Sequence, residues 1–392
     1  MNRVLFSFLS MVLALTATAN DGVYFTSGNQ LVPLQETDIS VKKEILTISL
    51  TNNGFAKVDV YYEFYNPGNS SKSVLMGFEA DPSYNDDYEL HPSGIHPNIK
   101  DFTVEINGVK QSHKNAISNL DKAGLFNPLA DAKAWQEGCG ECDQPGHEEC
   151  GDPTALYKKG DHSKQIHEYS YVYYFNATFK PGINKIHHTY KYNTSADVIT
   201  SYTVPYKLSP AGRWANKQID DFTLVIRADK TAKYFDVDMS TFPGAKFTLT
   251  EGVGKIQDGR IVLRNGAVTL HKLNFRPSPD HELDIVSADR NIGASGQFGS
   301  YYDRSSCLWL YLWWESSQSE YSELDEADKL TPEQFKRIAK NLPYANRGHV
   351  FKDPELKKYF SQLWWYMPDP SYKDDTSDFT EQDWMYINWK EE

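Results

Sequence analysis

The chain has 392 residues, with 40 Lys and Arg against 53 Asp and Glu, a formal net charge of -13. That acidic balance, with no basic patch in view, argues against nucleic acid or an anionic membrane as a partner. The length has room for two or three domains, and an aromatic content of 14% with 25 Tyr suits a mainly β body.

Residues 1–19 read as a signal peptide, with Arg3 as the basic start, Val4 to Leu15 as the apolar run and Ala17-Thr18-Ala19 as the cleavage site. No Cys follows the expected cut before Asn20, so no lipoprotein anchor is expected. No later run has the length of a membrane helix. The mature chain is expected to be soluble and extracytoplasmic, periplasmic or secreted.

Residues 20–113 read as an N-terminal β region. Leu46, Ile48 and Leu50 alternate with Thr47 and Ser49, and Asn53-Gly54 marks a tight hairpin. Val58, Val60, Tyr62 and Phe64 give the next inward face, and Asn66-Pro67-Gly68 turns the chain. Val74, Met76 and Phe78 complete what reads as a three-strand meander. A polar loop from Asp81 to Asn98 follows, then a strand through Phe102, Val104 and Ile106 to the Asn107-Gly108 turn.

Residues 114–161 read as a helical, Cys-rich insertion, with Ile117, Leu120, Leu125 and Trp135 on short helices. Residues 162–315 read as a second β-sandwich region. In it Ile186, His188, Tyr190 and Tyr192 share one face, and later short strands follow at regular spacing. The run from Cys307 to Trp314 is apolar on both faces, as a doubly buried strand would be. Residues 316–329 form an acidic linker. Residues 330–392 read as a small α-helical domain with three helix starts. Thr331-Pro332-Glu333-Gln334 and Thr380-x-x-Asp383 are capping boxes, and Asp353-Pro354 is a third start. The first helix is expected to stop before Pro343, and Trp384 and Ile387 to face inward. The expected fold is a mainly β sandwich body carrying this helical C-terminal domain.

The C-terminal stretch resembles the YARHG domain, a bacterial module presumed extracellular. The resemblance rests on Tyr344-Ala345-Asn346-Arg347-Gly348, Val350-Phe351, Glu355-Leu356, Tyr359-Phe360 and Trp365-Tyr366. At the centre of the motif this chain has Asn346-Arg347 where the family has Arg-His. The body is similar to a family of uncharacterised secreted bacterial β proteins through Lys43-Glu44, Tyr62-x-Phe64-x-Asn66-Pro67, Gly77-Phe78 and Trp214. The resemblances imply extracytoplasmic display and no particular chemistry.

Cys139, Cys142, His147 and Cys150 have metal-ligand spacing, so a structural zinc ion is one reading. Disulfides are the other, because the count of four Cys is even and an oxidising compartment favours bridges. Cys307 is then a candidate to staple the insertion. No other cofactor is expected. Asp86, Asp87, His91 and His96 share one loop and read as a cation site or as solvated polar surface. His187 and His188 are neighbours on a strand, so they face opposite sides and do not share a metal.

Seven of nine Trp lie after residue 300: Trp309, Trp313, Trp314, Trp364, Trp365, Trp384 and Trp389. They fill a core or form a stacking platform. Tyr344, Arg347, His349, Trp364 and Trp365 are the candidate binding surface, for a cell-wall or other envelope component or a protein partner. The expected role is non-catalytic binding or scaffolding. A metal-dependent extracytoplasmic hydrolase and a structural envelope subunit are the alternatives.

Overall fold

The computed structural model describes residues 31–33, 37–51, 54–80, 95–119, 122–126, 169–194, 203–278, 280–287 and 331–388 except 362 and 364. The first half supplies β1 (Leu31–Pro33), β2 (Ser40–Leu50), β3 (Phe55–Asn66), β4 (Lys72–Ala80), β5 (Ile99–Ile106), β6 (Val109–Gln111), β7 (Lys114–Asn119) and β8 (Lys122–Phe126). Then come β9 (Tyr169–Phe179), β10 (Gly182–Asn193), β11 (Thr203–Tyr206), β12 (Ile219–Ala228), β13 (Lys233–Val237), β14 (Thr248–Gln257), β15 (Arg260–Phe275) and β16 (Leu283–Ser287). Three helices close the chain: α1 (Pro332–Asn346), α2 (Pro354–Ser361) and α3 (Glu381–Ile387).

The strands form two sheets. The smaller runs β1-β4-β9-β7-β8, and the larger β11-β16-β13-β15-β12-β2-β3-β10-β5-β6 with β14 paired to β15. Strands of the two expected β regions are therefore interleaved in both sheets. In the larger sheet they meet where β10 pairs with β3 and β5 and where β2 and β12 pair in parallel, Leu46 opposite Leu224. Pairing between residues so far apart in sequence leaves no local signature.

The period-two pattern places the core. Leu46, Ile48, Val58, Val60, Phe64, Ile186 and Leu224 are all buried, as are Met76, Phe78, Phe175 and Phe179 of the smaller sheet. Aromatic contacts tie the layers together, with Phe78 5.1 Å from Tyr190 and Phe64 5.7 Å from Phe179. Trp214 fills the same core 4.5 Å from Phe64. A buried polar string runs through it: the Tyr206 hydroxyl donates to the Glu44 carboxylate at 3.2 Å and lies 3.2 Å from the Tyr62 hydroxyl.

Two expectations for the body are corrected. The expected meander has only two strands, because β4 leaves for the other sheet. The Asn66 side chain fixes that departure by donating to the carbonyls of Ser70 and Phe179, and β10 takes the vacant edge of β3. Residues 114–119 and 122–126, expected as helix, are strands β7 and β8. Backbone pairing along β9, with Ala116 opposite Val172, outweighs the local helical pattern.

At the C-terminus the caps form as read. Thr331 and Gln334 exchange hydrogen bonds, as do Thr380 and Asp383, and Asp353 accepts from the amides of Glu355 and Leu356. The stop expected before Pro343 is wrong: α1 continues through it to Asn346. The residue that ends the helix is Gly348, at φ +92°, a left-handed value that favours glycine.

Candidate functional site

Arg347 sits at the end of α1 with its side chain 2% exposed. Its Nε donates to Asp378 Oδ1 at 3.0 Å, Nη1 to the Pro343 carbonyl at 2.9 Å, and Nη2 to the Asp378 carbonyl at 3.1 Å and Asp383 Oδ2 at 2.9 Å. The guanidinium lies 4.2 Å from the centre of the Phe379 ring. Its donors are thus spent inside the domain, clamping α1 to the start of α3. Trp365 is 3% exposed, and its indole nitrogen makes no hydrogen bond among the described residues. Both residues were expected at a ligand surface, and both are buried. Trp364 lies outside the described residues.

Four rings that do reach the surface form a chain above Arg347. His349 lies 6.2 Å from Tyr344, Tyr344 lies 5.1 Å from Phe379, and Phe379 lies 5.5 Å from Trp384. Trp384 is 43% exposed, and Tyr344, His349 and Phe379 are partly exposed. The expectation that Trp384 faces inward is corrected: among the described side chains of α3, Asp383 and Tyr386 are the buried ones. Asp383 must point inward to meet Arg347, and this rotates Trp384 to the surface.

Carboxylates surround the rings. His349 Nδ1 is hydrogen-bonded to Asp374 Oδ1, with Asp374 52% exposed. Asp378 is 28% exposed, and Asp375 and Glu381 are exposed. The Tyr372 hydroxyl beside them is pushed up to about 12, first by burial and then by Asp374 and Asp378, against the lowering pull of Arg347.

The domain is not a free appendage. Ala232, Tyr234 and Val262 of the body share one apolar cluster with Ile338, Leu342, Phe351, Phe360, Trp365 and Met367. Along β15, Ile261 and Leu263 face the sandwich core while Val262 and Arg264 face the helices, and all four are buried. Arg264 Nη1 donates to the Met367 carbonyl, and Nη2 lies 3.8 Å from Asp369 Oδ2. Lys255 Nζ donates to the Tyr366 carbonyl at 3.4 Å, and the Ala232 amide to the Asn346 carbonyl at 3.1 Å. Burial holds the Arg264 guanidinium below its usual range, and Asp369 and Tyr366 oppose the shift.

Other expected sites fall apart in space. His188 is fully buried, whereas His187 is exposed and 3.0 Å from Asp59, so the two face opposite sides as expected. His96 is buried beside Tyr171 and accepts from the Asn98 amide. Asp86, Asp87 and His91 lie outside the described residues, as do Cys139, Cys142, His147, Cys150 and Cys307. Among the described residues, no group of three or more His, Cys, Asp or Glu is placed to hold a metal. A groove of about 790 Å³ is lined by Asp236, Asp238, Asp258, Asp284 and Arg260. At its rim Ser240 donates to Asp238 at 2.7 Å and lies 3.0 Å from His281 Nδ1. The carboxylate there holds the hydroxyl, not the imidazole, so the three residues do not have the order of an acyl-transfer triad.

Residues 310–389 match the YARHG domain, and residues 19–198 match a domain of unknown function, DUF4424. No curated protein matches the chain. The fold is similar to that of a crystal structure from Legionella pneumophila of a candidate nutrient-binding protein. Identity is 20% and the TM-score 0.50, over 94% of this chain and 99% of that one. The likeness extends through both body and C-terminal domain, and at this identity it shows the fold alone. An M1 zinc metallopeptidase from Deinococcus radiodurans aligns at 9% identity over 68% of this chain and 45% of its own, with a TM-score of 0.27. That is too loose to carry an argument.

Proposed function

We propose that this chain, a β body joined to a YARHG domain, is an exported binding protein of the cell envelope. The reading places its binding surface on the ring chain of His349, Tyr344, Phe379 and Trp384. The observation that carries it is the construction of that chain: four rings in succession reach the surface, while the buried Arg347 locks the backbone beneath them. Fixed rings bind with little loss of side-chain freedom. The body supports this role by holding the domain along β15. Extracytoplasmic placement is supported by the resemblance of the domain. Among the described residues, no helix is long and apolar enough to cross a membrane. The Legionella protein of similar fold carries a nutrient-binding description, which agrees with binding in place of catalysis at the level of fold only.

Co-sedimentation with purified cell-wall sacculi tests the reading. The mature chain is expected to pellet, and a Tyr344→Ala, Trp384→Ala double variant to stay in the supernatant while keeping its far-ultraviolet spectrum. Equal pelleting of both forms, or of neither, overturns it.

A further inference from the structure

We infer that the ring chain of the C-terminal domain receives a cation, an alkylammonium or guanidinium group presented by a basic partner. The inference rests on the binding surface proposed above and names the chemistry it recognises.

The first support is the relative tilt of the rings. Tyr344 and His349 are inclined at 70°, Tyr344 and Phe379 at 68°, and Phe379 and Trp384 at 53°. A sugar ring stacks on a flat face and needs coplanar platforms to run from one unit to the next. Rings turned steeply against each other make walls, and walls offer their negative π faces to a point charge from several directions.

The second support is charge. Asp374, Asp375, Asp378 and Glu381 edge the rings. Arg347 does not neutralise this edge, because its charge is shared between Asp378 and the buried Asp383. Lys230 reaches Asp378 only at 3.8 Å and is 63% exposed, and Lys373 is exposed. Asp383 is already spent on Arg347, so the exposed acidic side chains at the edge are Asp374, Asp375 and Glu381, with Asp378 partly exposed beside them. A basic group is the complement to such an edge, and an anionic one is repelled. The site also holds one cation already, since Arg347 lies against Phe379 from the inner side. The proposed ligand repeats that contact from the solvent side, at Trp384 and Tyr344.

The test uses tetramethylammonium and neopentyl alcohol, a neutral, water-soluble analogue of similar shape with one added hydroxyl, followed by chemical shifts of the full mature chain. The Trp384 indole signal is assigned by its absence in Trp384→Phe. The expected result is saturable movement of that signal and of the Tyr344 and Phe379 amides with tetramethylammonium. Neopentyl alcohol is expected to bind at least about tenfold more weakly. Trp384→Phe should retain part of the affinity, and Trp384→Ala should lose about tenfold or more with the remaining spectrum unchanged. Equal affinity for the two probes would mean an apolar face and would overturn the inference. So would the absence of saturable movement with either probe. Saturation by a chitin oligosaccharide in place of tetramethylammonium would overturn it as well, while leaving the envelope-binding reading intact.

Discussion

Replacing Gly348 by Ala tests how the C-terminal domain is held to the body. The backbone at Gly348 has φ +92°, and an added Cβ would lie 2.2 Å from Arg264 Nη1 and 2.6 Å from its Cζ. The left-handed backbone alone costs a non-glycine residue roughly 1–2 kcal/mol. The clash is separate. Arg264 is 3% exposed, so its guanidinium has no room to step aside without losing the Met367 carbonyl. A hydrogen bond from a charged group is worth about 1.5–3 kcal/mol. The variant should therefore lose about 3–5 kcal/mol. In an Arg264→Met background the clash and the hydrogen bond are both absent, and the same change should cost only the backbone strain, about 1–2 kcal/mol. Urea unfolding followed by tryptophan emission measures all four corners of the cycle. An equal cost of Gly348→Ala in both backgrounds would refute the role given to Arg264.

Two further substitutions separate packing from display. Arg347→Ala strands the buried Asp383 and removes the clamp between α1 and α3, at a cost of about 3–5 kcal/mol. Limited proteolysis should then cut residues 340–388 first, whereas His349→Ala should leave the cleavage pattern unchanged. His188 is buried without a hydrogen bond at either ring nitrogen among the described residues, and burial brings its pKa down from 6.5 to about 3. The unfolded chain therefore takes up this proton first as pH falls. The stability linked to His188 is whole above pH 6.5 and lost progressively from there toward pH 3, with a ceiling of about 5 kcal/mol. His188→Phe should flatten that part of the pH–stability curve and cost little at pH 7, since it removes two unsatisfied nitrogens. An unchanged acid limb would contradict the assignment.

Much of this architecture was legible because its signals are local. The caps at Thr331, Asp353 and Thr380 are written in three or four adjacent residues, and the inward faces of β3 and β10 follow period two. The opposite facing of His187 and His188 follows from the same rule. What could not be read depends on distant partners. Nothing near Leu46 announces Leu224 as its parallel neighbour. Arg264 looks like an outward strand residue until the helices cover it, and Pro343 looks like a stop until Leu342 and Ala345 are seen buried on either side of it. Arg347 looked like a ligand contact for a related reason: its acceptors, Asp378 and Asp383, lie more than thirty residues downstream. The surface itself was half legible, since Tyr344 and His349 stand in the motif stretch, whereas Phe379 carries no local signal and Trp384 reads as an inward residue.

The central claim is that body and C-terminal domain form one framework that fixes the exposed rings. Native-state hydrogen exchange tests it most directly, through the amides of Leu342 and Ala345 in α1 and of Val262 and Leu263 in β15. The account predicts similar opening free energies for the two sets in the full chain, and a drop at α1 in Gly348→Ala. Rapid exchange of α1 in the unaltered protein, with β15 fully protected, would show a domain that rides free of the body and would contradict the account.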